Sequence, residues 1–336
     1  MSAVYAGGWG APLRSSRPVV SVCGVDYDAL AKGDEAQVLD LLAIVLAMDV
    51  PETLGKTAAD VMAFVREAKA TMRANPYHNA CHVLDVTQCL YTLLESTRAR
   101  RSLAPVEAAA AIVAAICHDL DHPGLSNAWQ NAEGTALSVK YAGESPLEHH
   151  HLDRFRDLER KHALLAELSD GDRHRFHEIV AAMILATDMA RHGALLAGIA
   201  GKLEDETFDP VGDAAGVTTV LALALKCSDV SNQVRPWPVA TKWNAAVYEE
   251  FYAEGDLDAA AGRDVMPLLD RRSNDVAKST VGFVAAVVKP LFRVFADVAH
   301  RIKALHGTAD PRVVEDCLLR LDDNARRYAA GPLAPP

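Results

Sequence analysis

The eight residues Cys117-His118-Asp119-Leu120-Asp121-His122-Pro123-Gly124 gather imidazoles and carboxylates at the end of an apolar stretch. From Val106 to Ile116 the chain is almost wholly Ala, Val and Ile, so a helix there is apolar nearly all round and belongs in a core. An imidazole and a carboxylate carried into an interior must be paired, hydrogen-bonded or bound to a cation, and Pro123-Gly124 stops the helix just beyond them. A divalent ion satisfies both groups at once. The same apolar approach to a terminal carboxylate recurs where Val217 to Leu225 runs into Lys226-Cys227-Ser228-Asp229. A third stretch supplies His78 and His82, four residues apart and so on one face of the helix expected to open at Pro76. Together His82, His118, Asp119 and Asp229 offer two nitrogen and two oxygen ligands, a set suited to Zn²⁺ or another first-row divalent ion with positions left for water. One of these carboxylates could also bridge to a second, harder ion such as Mg²⁺ or Mn²⁺.

These side chains need helices to hold them. Apolar residues recur at three- and four-residue spacing over Glu35 to Met48, Thr57 to Arg73, Pro146 to Arg156, Arg173 to Arg191, Val217 to Cys227, Pro238 to Ala253, Val276 to Ala296 and Val313 to Arg327. Period-two alternation is nearly absent, so the expected fold is all-α, with on the order of fifteen helices. Gly55-Lys56-Thr57 has the ending of a phosphate-binding loop but neither its first glycine nor a preceding strand, and reads as a loop with Thr57 capping the next helix. Residues 1–29, rich in Gly, Pro and Ser, read as a poorly ordered leader, 30–328 as one domain and 329–336 as a disordered tail.

Composition narrows the function. A net charge of −11 opposes nucleic acid or an anionic membrane as the main partner, since each requires a basic face. The six cysteines show no CxxC pair and no disulfide-framework spacing, which fits buried thiols in a reducing compartment. With no stretch approaching the ~18 apolar residues of a membrane span, the expectation is a cytoplasmic protein. Oligomeric state is left open by the sequence.

The motifs Tyr77-His78-Asn79-x-x-His82, His118-Asp119-x-x-His122-Pro123-Gly124-x-x-Asn127, Leu147-Glu148-x-His150-His151, Leu185-Ala186-Thr187-Asp188-Met189, Asp229-x-Ser231-Asn232 and Gly282-Phe283 stand in one order along the chain. With Glu250-Phe251-x-x-x-Gly255-Asp256 and Asp270-Arg271, they resemble the successive signatures of class I 3′,5′-cyclic nucleotide phosphodiesterase catalytic domains. The resemblance covers roughly Leu30 to Arg327. It implies a compact helical domain with a two-metal pocket, in which His82, His118, Asp119 and Asp229 hold the first ion and Asp119 also reaches the second. It further implies that a hydroxide between the ions attacks the cyclic phosphate of cAMP or cGMP, giving the 5′-monophosphate, with His78 as general acid on the leaving 3′ oxygen. Glu148 would orient His78 or contact metal-bound water, and His122 and Asn127 match positions behind the ligands. Phe283 and Val247 match the two jaws that grip the purine, with Tyr77, Met189, Asn232, Phe251 and Thr280 lining the same pocket.

The chain departs from that pattern at Thr280, where the family carries a glutamine whose amide bonds the purine edge. A threonine hydroxyl is shorter and offers one donor, so the expectation is relaxed base discrimination. Ala142-Gly143 replaces an Asn-Asp pair, Gln233 a proline and His149 an asparagine. Two other readings remain open on the sequence: a histidine–aspartate phosphohydrolase for another nucleotide, and a cyclic-nucleotide sensor that binds without turnover.

Overall fold

The computed structural model describes residues 22–331. Fifteen α-helices joined by short 3-10 turns make up the fold, with no strand among the described residues. At its centre lies α5 (Pro105–Cys117), in which every residue from Val106 onward is buried. Its one acidic residue, Glu107, accepts from the backbone of Ala104 at 2.9 Å and from Arg175 Nη2 at 2.7 Å, so even this charge is paired. Around it pack α4 (Ala80–Ser96) and α9 (Asp170–Thr187), and α11 (Ala214–Asp229) lies against both of these neighbours. Three of these central helices therefore deliver ligand-bearing ends: α4 begins near His82, α5 stops just before His118, and α11 stops at Asp229.

Outside this centre, α1 (Asp34–Ala47), α2 (Val50–Leu54) and α3 (Ala58–Thr71) form the N-terminal layer. Thr57 caps α3 through a full capping box with Asp60, and Gly55 takes a left-handed φ of +63°. The glycine-lysine-threonine triplet is thus a loop and cap, as the sequence predicts. Next come α6 (Asn127–Glu133), α7 (Ala136–Lys140), α8 (Pro146–Lys161) and α10 (His192–Leu203). The C-terminal half adds α12 (Trp237–Ala260), α13 (Val276–Phe283), α14 (Lys289–His306) and α15 (Arg312–Ala329).

Three sequence expectations need correction. The leader does not extend to residue 29: Val22 and Ala29 are buried, and Gln88 Nε2 donates to the carbonyls of Val22 and Gly24. Arg235, itself fully buried against Asp85 and Gln88, also reaches the carbonyl of Val25. Residues 1–21 and 332–336, which hold the rest of the leader and most of the tail, lie outside the described residues. Secondly, helix α4 starts at Ala80 and not at Pro76, because Asn79 is an extended N-cap whose side chain accepts from Cys81 and His82. His78 therefore precedes the helix and does not share a helical face with His82. Thirdly, the helix expected over 276–296 contains a π-turn at Val284–Val288, where Lys289 N–H reaches back to Val284. Pro290 explains it: a proline lacks the N–H of an ordinary helical turn and its ring collides with the carbonyl four residues back.

Candidate active site

The expected ligands converge. His82 Nε2 lies 3.2 Å from Asp229 Oδ1 and 3.4 Å from Asp119 Oδ2, and His118 Nε2 is 3.4 Å from each of the same two oxygens. One donor atom from each of the four residues falls within 4.8 Å of the others. His118 donates from Nδ1 to the Ala115 carbonyl at 2.8 Å, which fixes its tautomer and turns the Nε2 lone pair inward. That nitrogen and Asp119 Oδ2 are buried with no hydrogen-bond partner. Orphaned acceptors facing each other in a buried site are what a cation would satisfy, so these residues fit a divalent ion.

Electrostatics agree with the geometry. Burial alone would lower the pKa of His118, but Asp119 and Asp229 outweigh it and hold the imidazolium up to about 9. Burial likewise pushes Asp119 and Asp229 up, yet the surrounding histidines win and keep both carboxyls below their ordinary range.

Beside this cluster, His78 Nδ1 is hydrogen-bonded to Glu250 Oε1, while Glu250 Oε2 accepts the backbone N–H groups of Tyr77 and His78 at 3.0 Å each. Glu250 projects from the middle of α12, more than 170 residues further along the chain. Burial opposes charge on His78, but the bond to Glu250 and the charges of Asp119, Glu250 and Asp229 raise its pKa above the usual value. The ring stacks on His122 with centroids 4.0 Å apart. His122 accepts from the Gly124 backbone at 3.0 Å and is held neutral by burial and by His78. Burial lowers His151 to about 4; its Nδ1 donates to the Leu120 carbonyl, and its Nε2 faces the other oxygen of Asp119 at 3.7 Å. Asp121, at a left-handed φ of +59°, is fixed in the same turn by Arg73 at 2.7 Å and His150 at 2.9 Å.

Glu148 does not orient His78; Glu250 does. Instead Glu148 accepts from Asn127 Nδ2 at 2.9 Å, while Asn127 Oδ1 caps Leu147 N–H at 3.0 Å, so Asn127 ties the start of α6 to the start of α8. Burial, with the charges of Asp188 and Asp119, drives the Glu148 carboxyl up to about 7. Two more side chains missed in the sequence brace the site. Lys226, buried one turn before Asp229, donates to the carbonyls of Ala186, Thr187 and Asp188 at 2.8 to 3.0 Å and so caps the end of α9. Glu254, one turn beyond Glu250, accepts from the backbone and hydroxyl of Ser126. A glutamate beside Glu249 looks like a solvated residue in sequence, and only its three-residue spacing from Val247 hints that Glu250 faces the interior.

The residues expected around a base come from several elements: Tyr77 just before α4, Met189 and Asn232 in the turns after α9 and α11, Val247 and Phe251 on α12, and Thr280 and Phe283 on α13. Tyr77 is buried, with its ring against His78, His82 and Trp243. Asn232 is buried in the turn after Asp229, Val247 and Phe251 are partly buried on α12, and Phe283 and Met189 are exposed. Thr280 is buried and its hydroxyl bonds within the protein.

The fold and this site define a class of all-helical domains built around a histidine–aspartate metal centre. The family model for 3′5′-cyclic nucleotide phosphodiesterase matches residues 77–308, and the chain belongs to that family. It is 33% identical over 236 residues to a Drosophila melanogaster 3′,5′-cyclic-AMP phosphodiesterase, isoform F, covering 68% of this chain and 36% of the fly protein. It is also 34% identical over 222 residues to the mouse high affinity cGMP-specific 3′,5′-cyclic phosphodiesterase 9A, covering 66% of this chain and 41% of that one. Among solved structures it resembles the phosphodiesterase domain of Salpingoeca rosetta rhodopsin phosphodiesterase, with a TM-score of 0.83 at 25% identity over 93% of this chain and 92% of that one. The chain thus spans well under two thirds of these curated relatives. The family implies use of divalent metal. No single helix among the described residues is long and apolar enough to cross a membrane.

Proposed function

We propose that this chain hydrolyses purine 3′,5′-cyclic nucleotides to the 5′-monophosphates. The observation that carries the reading is the approach of His82, His118, Asp119 and Asp229 to one point beside a histidine held by a buried carboxylate. His82, His118, Asp119 and Asp229 would hold a first ion, Zn²⁺ by its nitrogen–oxygen donor set, and Asp119 would share a second, Mg²⁺ or Mn²⁺. Bound divalent ions supply a water acidified towards neutrality and withdraw charge from the phosphate.

The chain's own residues do the rest. Glu250 takes the Nδ1–H of His78, so the proton on Nε2 is the one available to the departing 3′ oxygen. By accepting the N–H groups of Tyr77 and His78 as well, Glu250 fixes the backbone that aims the ring. Glu148, bound to Asn127 and close enough to Asp119 to feel its charge, is left to hydrogen-bond water in the site. Val247 and Phe283 would clasp the base, with Tyr77, Met189, Asn232, Phe251 and Thr280 around it. Stacking of a base on an aromatic ring is worth ~1–3 kcal/mol, enough to hold a small ligand in register.

Purified protein with Mn²⁺ or Mg²⁺ is expected to convert cAMP, cGMP or both to the 5′-monophosphate, with His78→Gln losing most turnover while keeping its metal. Binding without product from the intact chain would replace this reading with that of a sensor.

A further inference from the structure

We infer that Asn244, and not Thr280, is the side chain through which this site reads the purine edge, an inference that rests on the function proposed above. The hydroxyl of Thr280 is already committed. It lies 2.7 Å from the Val276 carbonyl one turn back in its own helix, 3.2 Å from Asn244 Oδ1 and 3.2 Å from the Tyr248 hydroxyl. A hydroxyl has one proton to give, and both neighbouring acceptors belong to the protein. With that proton shared among protein acceptors, Thr280 has no donor left for a ligand.

Asn244 is in the opposite condition. It is equally buried, its Oδ1 receives the Thr280 hydroxyl, and its Nδ2 has no partner at all. A buried carboxamide with unused donors is costly, and such a group commonly marks where a ligand atom completes the bonding. Its position suits a base. Asn244 shares a face of α12 with Val247 and Phe251, three and seven residues on, and faces Thr280, which stands one turn before Phe283 on α13. An amide is therefore supplied at the same place from the facing helix, α12.

The pair also explains how one amide serves two purines. When the Thr280 proton goes to Asn244 Oδ1, the amide NH₂ faces the ligand and can donate to O6 of guanine or to a ring nitrogen of adenine. When that proton goes to the Val276 carbonyl, the carboxamide turns over, Nδ2 donates to the Thr280 oxygen, and Oδ1 accepts from N6 of adenine. The two acceptors available to Thr280 make both states accessible, and discrimination between the purines is correspondingly weak.

Steady-state kinetics on cAMP and cGMP with Mn²⁺, for the intact chain and its variants, test this. Asn244→Ala is expected to raise KM about tenfold for both nucleotides, with a smaller effect on kcat, and Thr280→Val to raise it by less. Moving the amide to the other wall, in the double variant Asn244→Thr/Thr280→Gln, is expected to recover most of that loss. Asn244→Asp keeps the shape but only accepts, so it should turn preference towards adenine. An unchanged KM in Asn244→Ala, a Thr280→Val loss of equal size, or an unshifted cAMP-to-cGMP ratio in Asn244→Asp would each overturn the inference. Should the intact chain show no turnover, the catalytic reading fails separately, and calorimetric titration of cAMP and cGMP into the same variants still decides the role of Asn244. Absence of binding to the intact chain overturns both.

Discussion

Asp119 and Asp229 approach the same two imidazole nitrogens, a crowding of negative charge that a folded protein tolerates only with positive charge among them. Replacing either carboxylate by its amide removes a ligand and half of that requirement. Asp229→Asn is therefore expected to lower metal content in elemental analysis and to cut turnover by about 10²-fold or more, with helix content by circular dichroism retained. Glu250 acts one contact further out. Glu250→Gln keeps the volume but removes the charge that raises the His78 pKa. A general acid must carry its proton, so activity falls as pH rises through its pKa. Lowering that pKa moves the fall to more acidic pH. The basic limb of the kcat profile should shift down in Glu250→Gln at the same metal loading; an unmoved limb with lowered kcat would mean that Glu250 only shapes the loop.

Among the elements, the helices were legible wherever one face is apolar, because the core dictates that spacing: α1, α3, α5, α11 and α15 fall within a few residues of the spans read from sequence, whereas α4 starts later than Pro76 and α12 runs past Ala253 to Ala260. The short α2, α6 and α7 were not, since five to seven residues carry too few turns to show a period, and α10 is mostly exposed. The convergence of His118, Asp119 and Asp229 with His82 was legible because buried apolar helices ending in polar groups are conspicuous. The roles of Glu250, Glu254 and Lys226 were not, because their partners, His78, Ser126 and the carbonyls that end α9, lie far along the chain, which no local pattern encodes. Departures from the family pattern also show at this scale. Ala142 sits at a left-handed φ of +54° where an asparagine would stand, followed by Gly143 at +74°. An alanine there bears a strain of roughly 1 kcal/mol that glycine does not. Ala142→Gly should raise the denaturant midpoint by that much less glycine's greater unfolded-state entropy, and Ala142→Asn should raise it without the entropic offset. A fall in both would locate the strain elsewhere.

For the molecule as a whole, the binding of a metal and the stability of the fold are one equilibrium, and its pH dependence has a definite sign. In the ion-free protein His118 holds its proton up to about 9, against ~6.5 for the unfolded chain. Between those limits the folded state binds the proton that the unfolded state has lost, so stability decreases as pH rises through this window. The depressed carboxyls of Asp119 and Asp229 act at the other end, losing their contribution as pH falls through the acid range. A divalent ion reverses the first trend, because it needs the Nε2 lone pair and takes over the task of the proton. Metal affinity should therefore climb with pH where the ion-free fold weakens. Melting curves of chelator-stripped and Mn²⁺-loaded protein, taken side by side from about pH 6 to 9, should diverge steadily, the stripped form falling and the loaded form holding. The comparison cancels every group that titrates alike in both. Parallel curves would mean that His118 does not exchange a proton for the ion.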